Sequence, residues 1–165
     1  MEMKGKWPLA LLLISPYALL AGGYALLLRG KPWMALVLWA LIFLCIFLPA
    51  MVRAFWLPHR GWTARRLLFW GMVLKLWNIP FYIGVFFVGL MMSVFVIPLL
   101  PFFILLDYFV LLPSTMYGLS GLLQARREGR ISTKTLLIFG IMQFFFCLDV
   151  FSAVWMYVSA RKWEA

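Results

Sequence analysis

Reactive and metal-binding side chains are scarce in this sequence of 165 residues, which has one histidine, two cysteines and five acidic residues. A zinc site takes about three or four ligands of these types, so we expect no metal, and we expect the isolated His59 to contact lipid headgroups. The sequence has no Ser-His-Asp set, no glycine-rich phosphate loop and no HExxH motif. We therefore predict no catalytic residues and no cofactor, and we predict that the protein is not an enzyme.

The shortage of acidic residues leaves a net charge of +10. Such a charge is typical of nucleic-acid-binding proteins, but here the cationic residues lie between apolar runs and not on a soluble domain. The cysteines, Cys45 and Cys147, lie inside apolar runs, where cysteine acts as a small hydrophobic side chain. We predict that the partners are a lipid bilayer and its anionic headgroups, with no nucleic acid and no disulfide.

Long apolar runs account for most of the chain: 66% of the residues are hydrophobic and 19% are aromatic. These fractions lie outside the range of soluble domains. We predict an all-α fold, a polytopic membrane helical bundle that forms a single domain over residues 1–165. Because one crossing takes about 20 residues, we expect about five transmembrane helices plus one interfacial amphipathic helix. The expected spans are 8–28, 33–51, 80–96, 101–125 and 136–158, and the interfacial helix is expected at about 62–76.

Two of these assignments have alternatives. The first run follows a basic tail, as in a secretory signal peptide, but it is long for one, so we favour a retained span. Between residues 53 and 75, basic residues alternate with Trp and Leu, which is typical of a helix in the headgroup plane. Lys75 and the 78–80 segment are expected to separate that helix from the next span. Alternatively, Leu67 to Leu74 lengthens the span.

The distribution of positive charge predicts the orientation of the chain. Five spans place eleven Lys and Arg residues on the side of the N-terminus and four on the other side. By the positive-inside rule, we expect a cell-membrane protein with a cytoplasmic N-terminus and an external C-terminus. A four-span alternative, with 80–123 as one broken crossing, would move the basic 124–134 loop outside. The arginines expected to contact anionic lipid are Arg60, Arg65, Arg66, Arg126, Arg127 and Arg130.

The fourth span carries one small and polar face. At helical steps of three, four and seven residues, this face consists of Asp107, Leu111, Ser114, Gly118, Gly121 and Ala125. Small residues allow helix backbones to approach closely in lipid. We therefore predict that Gly118, Gly121 and Ala125 are helix-packing residues and that this face points into the bundle.

Asp107 and Asp149 are the two acids inside the predicted spans. No Lys or Arg lies inside those spans to neutralise them, and an unpaired carboxylate in hydrocarbon costs several kcal/mol. Two interpretations stay open: a proton- or cation-binding site, or two hydrogen-bonded acids that hold helices together. The candidate intramembrane polar site consists of Asp107, Asp149, Tyr108, Ser114, Gln143 and Ser152.

Three blocks of sequence carry a family resemblance: KLWNIPFYIGVF, DYFVLLPSTMYGLSGLLQARREGRIS and FFFCLDVFSAVW. Over about residues 75–157, the chain resembles small uncharacterised multi-pass membrane proteins of Firmicutes-type bacteria. The resemblance implies a bacterial origin and a location in the plasma membrane. That family has no assigned activity, so the resemblance transfers no catalytic or binding residue.

Two functions follow as hypotheses. The first is a non-enzymatic integral membrane protein that acts by binding, as an accessory subunit or a resistance or immunity-type factor. Its partner would be another membrane protein or a second copy of itself. The second is a proton- or cation-coupled small transporter that uses Asp107 and Asp149. An enzyme acting on lipids ranks last, because it would need a carboxylate pair that water can reach.

Overall fold

A computed structural model describes residues 7–95, 100–145 and 148–163. Within these ranges every regular element is a helix, which confirms the predicted all-α fold. A π-helical turn, Phe43–Phe47, joins α2 to α3, and a short 3-10 turn, Pro58–Arg60, follows α3. The α-helices are α1 (Trp7–Leu28), α2 (Pro32–Ile42), α3 (Leu48–Trp56), α4 (Ala64–Phe95), α5 (Leu100–Arg127), α6 (Thr133–Met142) and α7 (Leu148–Arg161).

Four helical segments in the described ranges are long and apolar enough to cross a membrane. They are Pro8–Leu26, Trp33–Trp56, Ala64–Met91 and Ile104–Arg127. The count differs from the predicted five because the last predicted span, 136–158, is not one helix. It also differs from the four-span alternative, since α4 and α5 each qualify as a separate crossing.

The prediction of a separate interfacial helix at 62–76 is wrong, because that segment continues into the predicted third span. Helix α4 runs unbroken through Asn78 and Pro80 for 32 residues, a length of about 48 Å at 1.5 Å per residue. Pro80 removes one backbone N–H donor, yet the helix persists. The alternative in which Leu67 to Leu74 lengthens the span is the one that the structure supports.

The predicted helix at 136–158 is also wrong as a single element. Helix α6 ends at Met142, and the chain then turns, with the N–H of Phe144 donating to the carbonyl of Ile141 and the N–H of Phe145 to that of Met142. Helix α7 begins at Leu148. The break places two buried polar residues, Gln143 and Asp149, beside helix ends and not in a helix interior.

Local sequence explains where several helices begin and end. The hydroxyl of Ser132 accepts the N–H of Thr135 and caps the start of α6. Gly129 ends α5 with a φ of 71°, and the N–H of Arg130 donates to the carbonyl of Ala125 at 2.9 Å. In α1, Pro16 cannot donate to the carbonyl of Leu12, and the hydroxyl of Ser15 donates to that carbonyl instead, at 3.4 Å.

The π-helical turn has a similar origin in the sequence. Pro49 has no N–H for the carbonyl four residues before it. Immediately before Pro49, the N–H of Leu48 donates to the carbonyl of Phe43, five residues back. Widening the helix by one residue lets α2 and α3 continue through the proline as one apolar segment, Trp33–Trp56.

The described residues form two compact units. The first contains α1, α2, the π-helical turn, α4 from Asn78 and α5 as far as Val110. In this unit the rings of Phe43 and Phe109 lie 4.8 Å apart, and Tyr17 meets Phe81 edge to face at 6.5 Å. Aromatic side chains therefore make much of the contact between its helices.

The second unit contains α3 from Met51, α4 as far as Trp77, α5 from Leu111, and helices α6 and α7. Its apolar core is a cluster of Leu68, Leu122, Met156 and Ala160. The backbones of α4 and α5 come very close here: a Cβ added to Gly71 would lie only 3.0 Å from the backbone nitrogen of Gly118. This unit holds the polar residues described next.

Candidate functional site: a buried ion pair at a helix break

Lys75 and Asp149 form a buried ion pair in the second unit. The Lys75 Nζ lies 3.0 Å from Asp149 Oδ2, and the two side chains are 0% and 2% exposed. This corrects two expectations: Lys75 does not lie in a headgroup-facing helix, and Asp149 does have a cation to neutralise it. In an apolar interior, two opposite charges at this distance attract strongly, which offsets part of the cost of removing both from water.

Both ions have further partners. The ammonium of Lys75 also donates to Thr115 Oγ1 at 3.3 Å. The second carboxylate oxygen of Asp149, Oδ1, accepts the backbone N–H of Val150 at 2.7 Å. Asp149 lies in the first turn of α7, where a negative charge is favourable because the N-terminal end of a helix carries a partial positive charge.

Thr115 connects the ion pair to the break between α6 and α7. Its hydroxyl donates to the backbone carbonyl of Gln143 at 3.0 Å, just beyond the end of α6. A carbonyl at a helix end lacks an intrahelical partner, so α5 satisfies the end of α6 through this side chain. Nearby, the hydroxyl of Ser152 donates to the carbonyl of Phe139 at 3.3 Å and joins α7 to α6.

The side chain of Gln143 fills the space left by a glycine. A Cβ added to Gly118 would overlap the Oε1 of Gln143, and the side chain of Gln143 is completely buried. Within the described residues, neither amide atom of Gln143 has a hydrogen-bond partner. Gly118 therefore makes room for a buried amide, in addition to its approach to Gly71.

The structure distributes the predicted polar site over both units. Asp149, Gln143 and Ser152 lie together in the second unit. Ser114 is in the same unit, but its hydroxyl donates within its own helix to the carbonyl of Leu111 at 2.8 Å. Asp107 and Tyr108 belong to the first unit. Asp107 Oδ1 is buried and has no hydrogen-bond partner in the described part of the chain.

The predicted packing face of α5 is buried where it enters the second unit. Gly121 lies against Leu68, with an added Cβ 3.0 Å from the backbone nitrogen of that residue, and Ala125 is 0% exposed. On the same helix, the hydroxyl of Ser120 donates to the carbonyl of Ala54 at 2.6 Å. The predicted face is therefore occupied by α4 and the turn after α6 within the same chain, and the contact with α3 lies on the opposite side of α5.

The six predicted lipid-contacting arginines have different surroundings. Arg60 and Arg66 lie over the rings of Trp56 and Trp62, at 4.5 and 4.3 Å from the ring centroids. Arg65 and Arg66 line the same pocket. Arg126 donates to the hydroxyl of Thr133, and Arg127 and Arg130 are exposed.

Other titratable groups add little to the site. Cys45 is a free thiol on an exposed face, and Cys147 lies outside the described residues. Among the residues that the structure describes, no three His, Cys, Asp or Glu side chains lie together, so no set of metal ligands can be named.

Sequence reasoning missed Lys75, Thr115 and Gly71 as members of this site. A signal for Lys75 existed, because residues 67–95 carry no other charge. If that run had been assigned to one membrane-spanning helix, its single lysine would have been predicted to face the interior of the protein. Thr115 and Gly71 had no such signal, since their roles depend on which helices meet.

Comparison with known proteins gives a family and no close relative. A family model described as a family of unknown function, DUF6652, matches residues 9–163. No curated protein and no solved structure matches the chain. Because the matched segment contains every described helix except the first two residues of α1, the chain belongs to the DUF6652 family of unknown function.

Proposed function

We propose that this chain is a multi-pass integral membrane protein of a bacterial cell membrane and that it acts by binding, not by catalysis. The observation that carries the proposal is the buried Lys75–Asp149 ion pair, which is satisfied within the chain. Both carboxylate oxygens of Asp149 accept hydrogen bonds from the chain itself, and its partner Lys75 is completely buried. Ionisable side chains in a bilayer pair in this way when they face the interior of the protein.

The arrangement suits a scaffold. Lys75 comes from α4, Thr115 from α5 and Asp149 from α7, so one polar cluster joins three helices. An irregular backbone at membrane depth is tolerated where protein covers it, and the turn after α6 is bonded to Thr115. These contacts support a rigid unit that presents its outer surface to a partner.

The same features support a particular threading. The contacts of α7 support four crossings and not a fifth, because α7 runs from Asp149, beside Lys75, back to Tyr157, whose ring lies 5.4 Å from that of Phe69 near the start of α4. Since Lys75 is buried, and Arg161 and Lys162 follow α7 to the side of the 124–134 loop, the proposed cytoplasmic side has twelve Lys and Arg residues against two outside. Both chain ends are then cytoplasmic, which replaces the expected external C-terminus.

Large apolar side chains are exposed along the candidate crossings, such as Leu36 and Leu41 on α2 and Phe86 and Met91 on α4. In a bilayer these would contact lipid or a second membrane protein. The proposed partner is another membrane protein, for which this chain is an accessory subunit or a resistance or immunity-type factor, or a second copy of the chain.

A second function, a proton- or cation-coupled small transporter, has one observation in its favour. A buried ion pair beside a broken helix is an arrangement that transporters use at their ion sites, and Asp107 has a buried oxygen with no hydrogen-bond partner in the described ranges. In this version the Lys75–Asp149 pair would open to exchange an ion.

Reconstituted vesicles distinguish the two functions. We expect proton and cation fluxes at the level of empty vesicles for the wild type and for the neutral double variant Lys75→Met/Asp149→Asn. When the wild type is extracted from its membrane in mild detergent, it should form a complex of fixed stoichiometry with another membrane protein or with a second copy of itself. A flux above that of empty vesicles that is lost in the double variant or in Asp107→Asn would replace the binding proposal with transport.

A further inference from the structure

An open pocket of about 310 Å³ lies at the start of α4 in the second unit. Its lining combines two cations, one hydroxyl and two aromatic rings: Arg65, Arg66, Thr63, Phe69 and Tyr157. Among the residues that the structure describes, no acid belongs to this lining. Cations and hydroxyls around a concave surface are groups that recognise phosphate.

We propose that this pocket binds the phosphate of one anionic phospholipid headgroup, with the rings of Phe69 and Tyr157 against the glycerol end of the lipid. The inference rests on the proposed location in a membrane. It goes beyond that function by separating one discrete lipid site from the diffuse attraction of the other surface arginines.

Arg66 is positioned through its side chain by Trp62 and through its backbone by Thr63. Its guanidinium lies 4.3 Å from the centroid of the Trp62 ring, and its backbone N–H donates to Thr63 Oγ1 at 3.4 Å. Stacking uses the flat face of a guanidinium, whereas its N–H donors point outward in the plane. A fixed guanidinium loses little side-chain entropy when it binds an oxyanion, so this residue is suited to hold a phosphate.

The aromatic side of the pocket has the chemistry of a membrane interface. The rings of Phe69 and Tyr157 lie 5.4 Å apart and tilted, which joins α4 to α7 at this point. Tyr and Trp side chains favour the headgroup level of a bilayer because they have an apolar ring and a polar tip. A ligand with a phosphate and an apolar end, as a phospholipid has, matches both sides of the pocket.

Glu128, an acidic residue near the pocket, has partners within the chain. Its Oε1 accepts the N–H of Ala64 at 3.2 Å and the side-chain amide of Gln124 at 3.1 Å. This carboxylate occupies the first N–H of α4, so the ligand would be held by the side chains of Arg65 and Arg66. Two guanidinium groups in the lining favour an anionic headgroup over a zwitterionic one.

The test compares two double variants that remove the same charge. In Arg65→Gln/Arg66→Gln the pocket loses both cations, while the control Arg127→Gln/Arg130→Gln removes two exposed arginines outside the pocket lining. The protein in neutral detergent is titrated with a fluorescent phosphatidylglycerol and, separately, with the matching phosphatidylcholine. We expect the pocket variant to bind phosphatidylglycerol about 10-fold or more weakly and the control to change less than about threefold.

Wild-type protein should also prefer phosphatidylglycerol to phosphatidylcholine. Equal losses of phosphatidylglycerol affinity in the two double variants, or no preference between the lipids, would overturn the inference and leave only diffuse attraction. The inference would also be overturned if inorganic phosphate alone saturated the pocket at the concentrations at which the lipid binds. Arg66→Lys keeps the charge but removes the planar guanidinium with its paired N–H donors. A partial loss of phosphatidylglycerol affinity with an unchanged melting temperature would support phosphate binding by a folded site.

Failure of this inference is distinguishable from failure of the proposed function. Extraction of the wild type from its native membrane by alkaline carbonate would contradict membrane integration itself. Retention in the membrane together with equal lipid binding by both double variants would contradict the lipid site alone.

Discussion

The Lys75–Asp149 pair is the residue-scale feature on which the second unit depends. Each ion would be costly in an apolar interior without the other. Removal of Lys75 leaves Asp149 Oδ2 without its donor, and removal of Asp149 takes the acceptor from both the Lys75 ammonium and the Val150 N–H. Breaking a buried pair from one side is therefore expected to cost far more than neutralising both ions.

We predict that Lys75→Met lowers the free energy of unfolding by about 3–5 kcal/mol, because Asp149 is left buried and unpaired. Lys75→Met/Asp149→Asn should recover most of that loss, since no charge remains in the core. Thermal unfolding of the purified variants in one detergent measures both effects. Lys134→Met, at an exposed lysine in the first turn of α6, is the control and should change stability by less than about 0.5 kcal/mol.

If the loss of unfolding free energy in the double variant equalled the sum of the losses in Lys75→Met and Asp149→Asn, the ions would not interact energetically and the pair would have no role in holding the helices. The difference between that sum and the measured loss is the coupling energy of the pair.

At the scale of helices, local chemistry explains some boundaries. The predicted spans end at 125 and begin at 136, and the structure extends them to Arg127 and Thr133, where Gly129 and Ser132 supply the caps. The continuity of α4 through Pro80 was not predictable from local chemistry, because a proline weakens a helix locally and only packing of the flanking residues restores it. Phe81 and Leu74, on either side, are each 1% exposed.

Gly118 tests the packing of α5. We predict that Gly118→Ala lowers the free energy of unfolding by about 1–3 kcal/mol, because the added methyl group overlaps the buried side chain of Gln143. The matched control is Gly84→Ala, at a glycine in α4 with open space around its Cβ position. That substitution should be neutral or slightly stabilising. Thermal unfolding in detergent compares them.

A second substitution identifies the cause of the Gly118 effect. Gly118→Ala/Gln143→Ala removes the side chain that the methyl group would overlap, so the Gly118→Ala step should cost less in the Gln143→Ala background than in the wild type. An equal cost in both backgrounds would assign the loss to the approach of Gly71 instead.

For the whole molecule, the orientation in the membrane is the feature that the proposed function requires. Helices α6 and α7 are each too short to cross alone, at 10 and 14 residues. They do not add up to one crossing, because they pack as a hairpin: the hydroxyl of Ser152 donates to the carbonyl of Phe139, and Met156 and Ala160 share a core with Leu68 near the start of α4. Four crossings place the two chain ends on the same side.

We predict that an N-terminal tag and a C-terminal tag are both accessible only from the cytoplasm, because α7 returns to the side of the 124–134 loop. Protease or antibody access in intact and permeabilised cells measures this. An engineered cysteine at Arg127, at the end of α5, should be labelled from the cytoplasmic side and serves as an internal control. Detection of the two tags on opposite sides would mean that α6 and α7 cross together.

The sequence by itself determined the helical class, the long apolar segments and the two ends of α1 and of α5 to within about two residues, because these follow from hydrophobic run length. It also singled out Asp149, Gln143 and the glycines of α5 as unusual. Tertiary structure alone decided that Lys75 is the partner of Asp149 and that the last predicted span breaks at Gln143. The physical reason is that pairing of buried charges depends on which helix faces meet, and residues 74 positions apart carry no local signal of that contact.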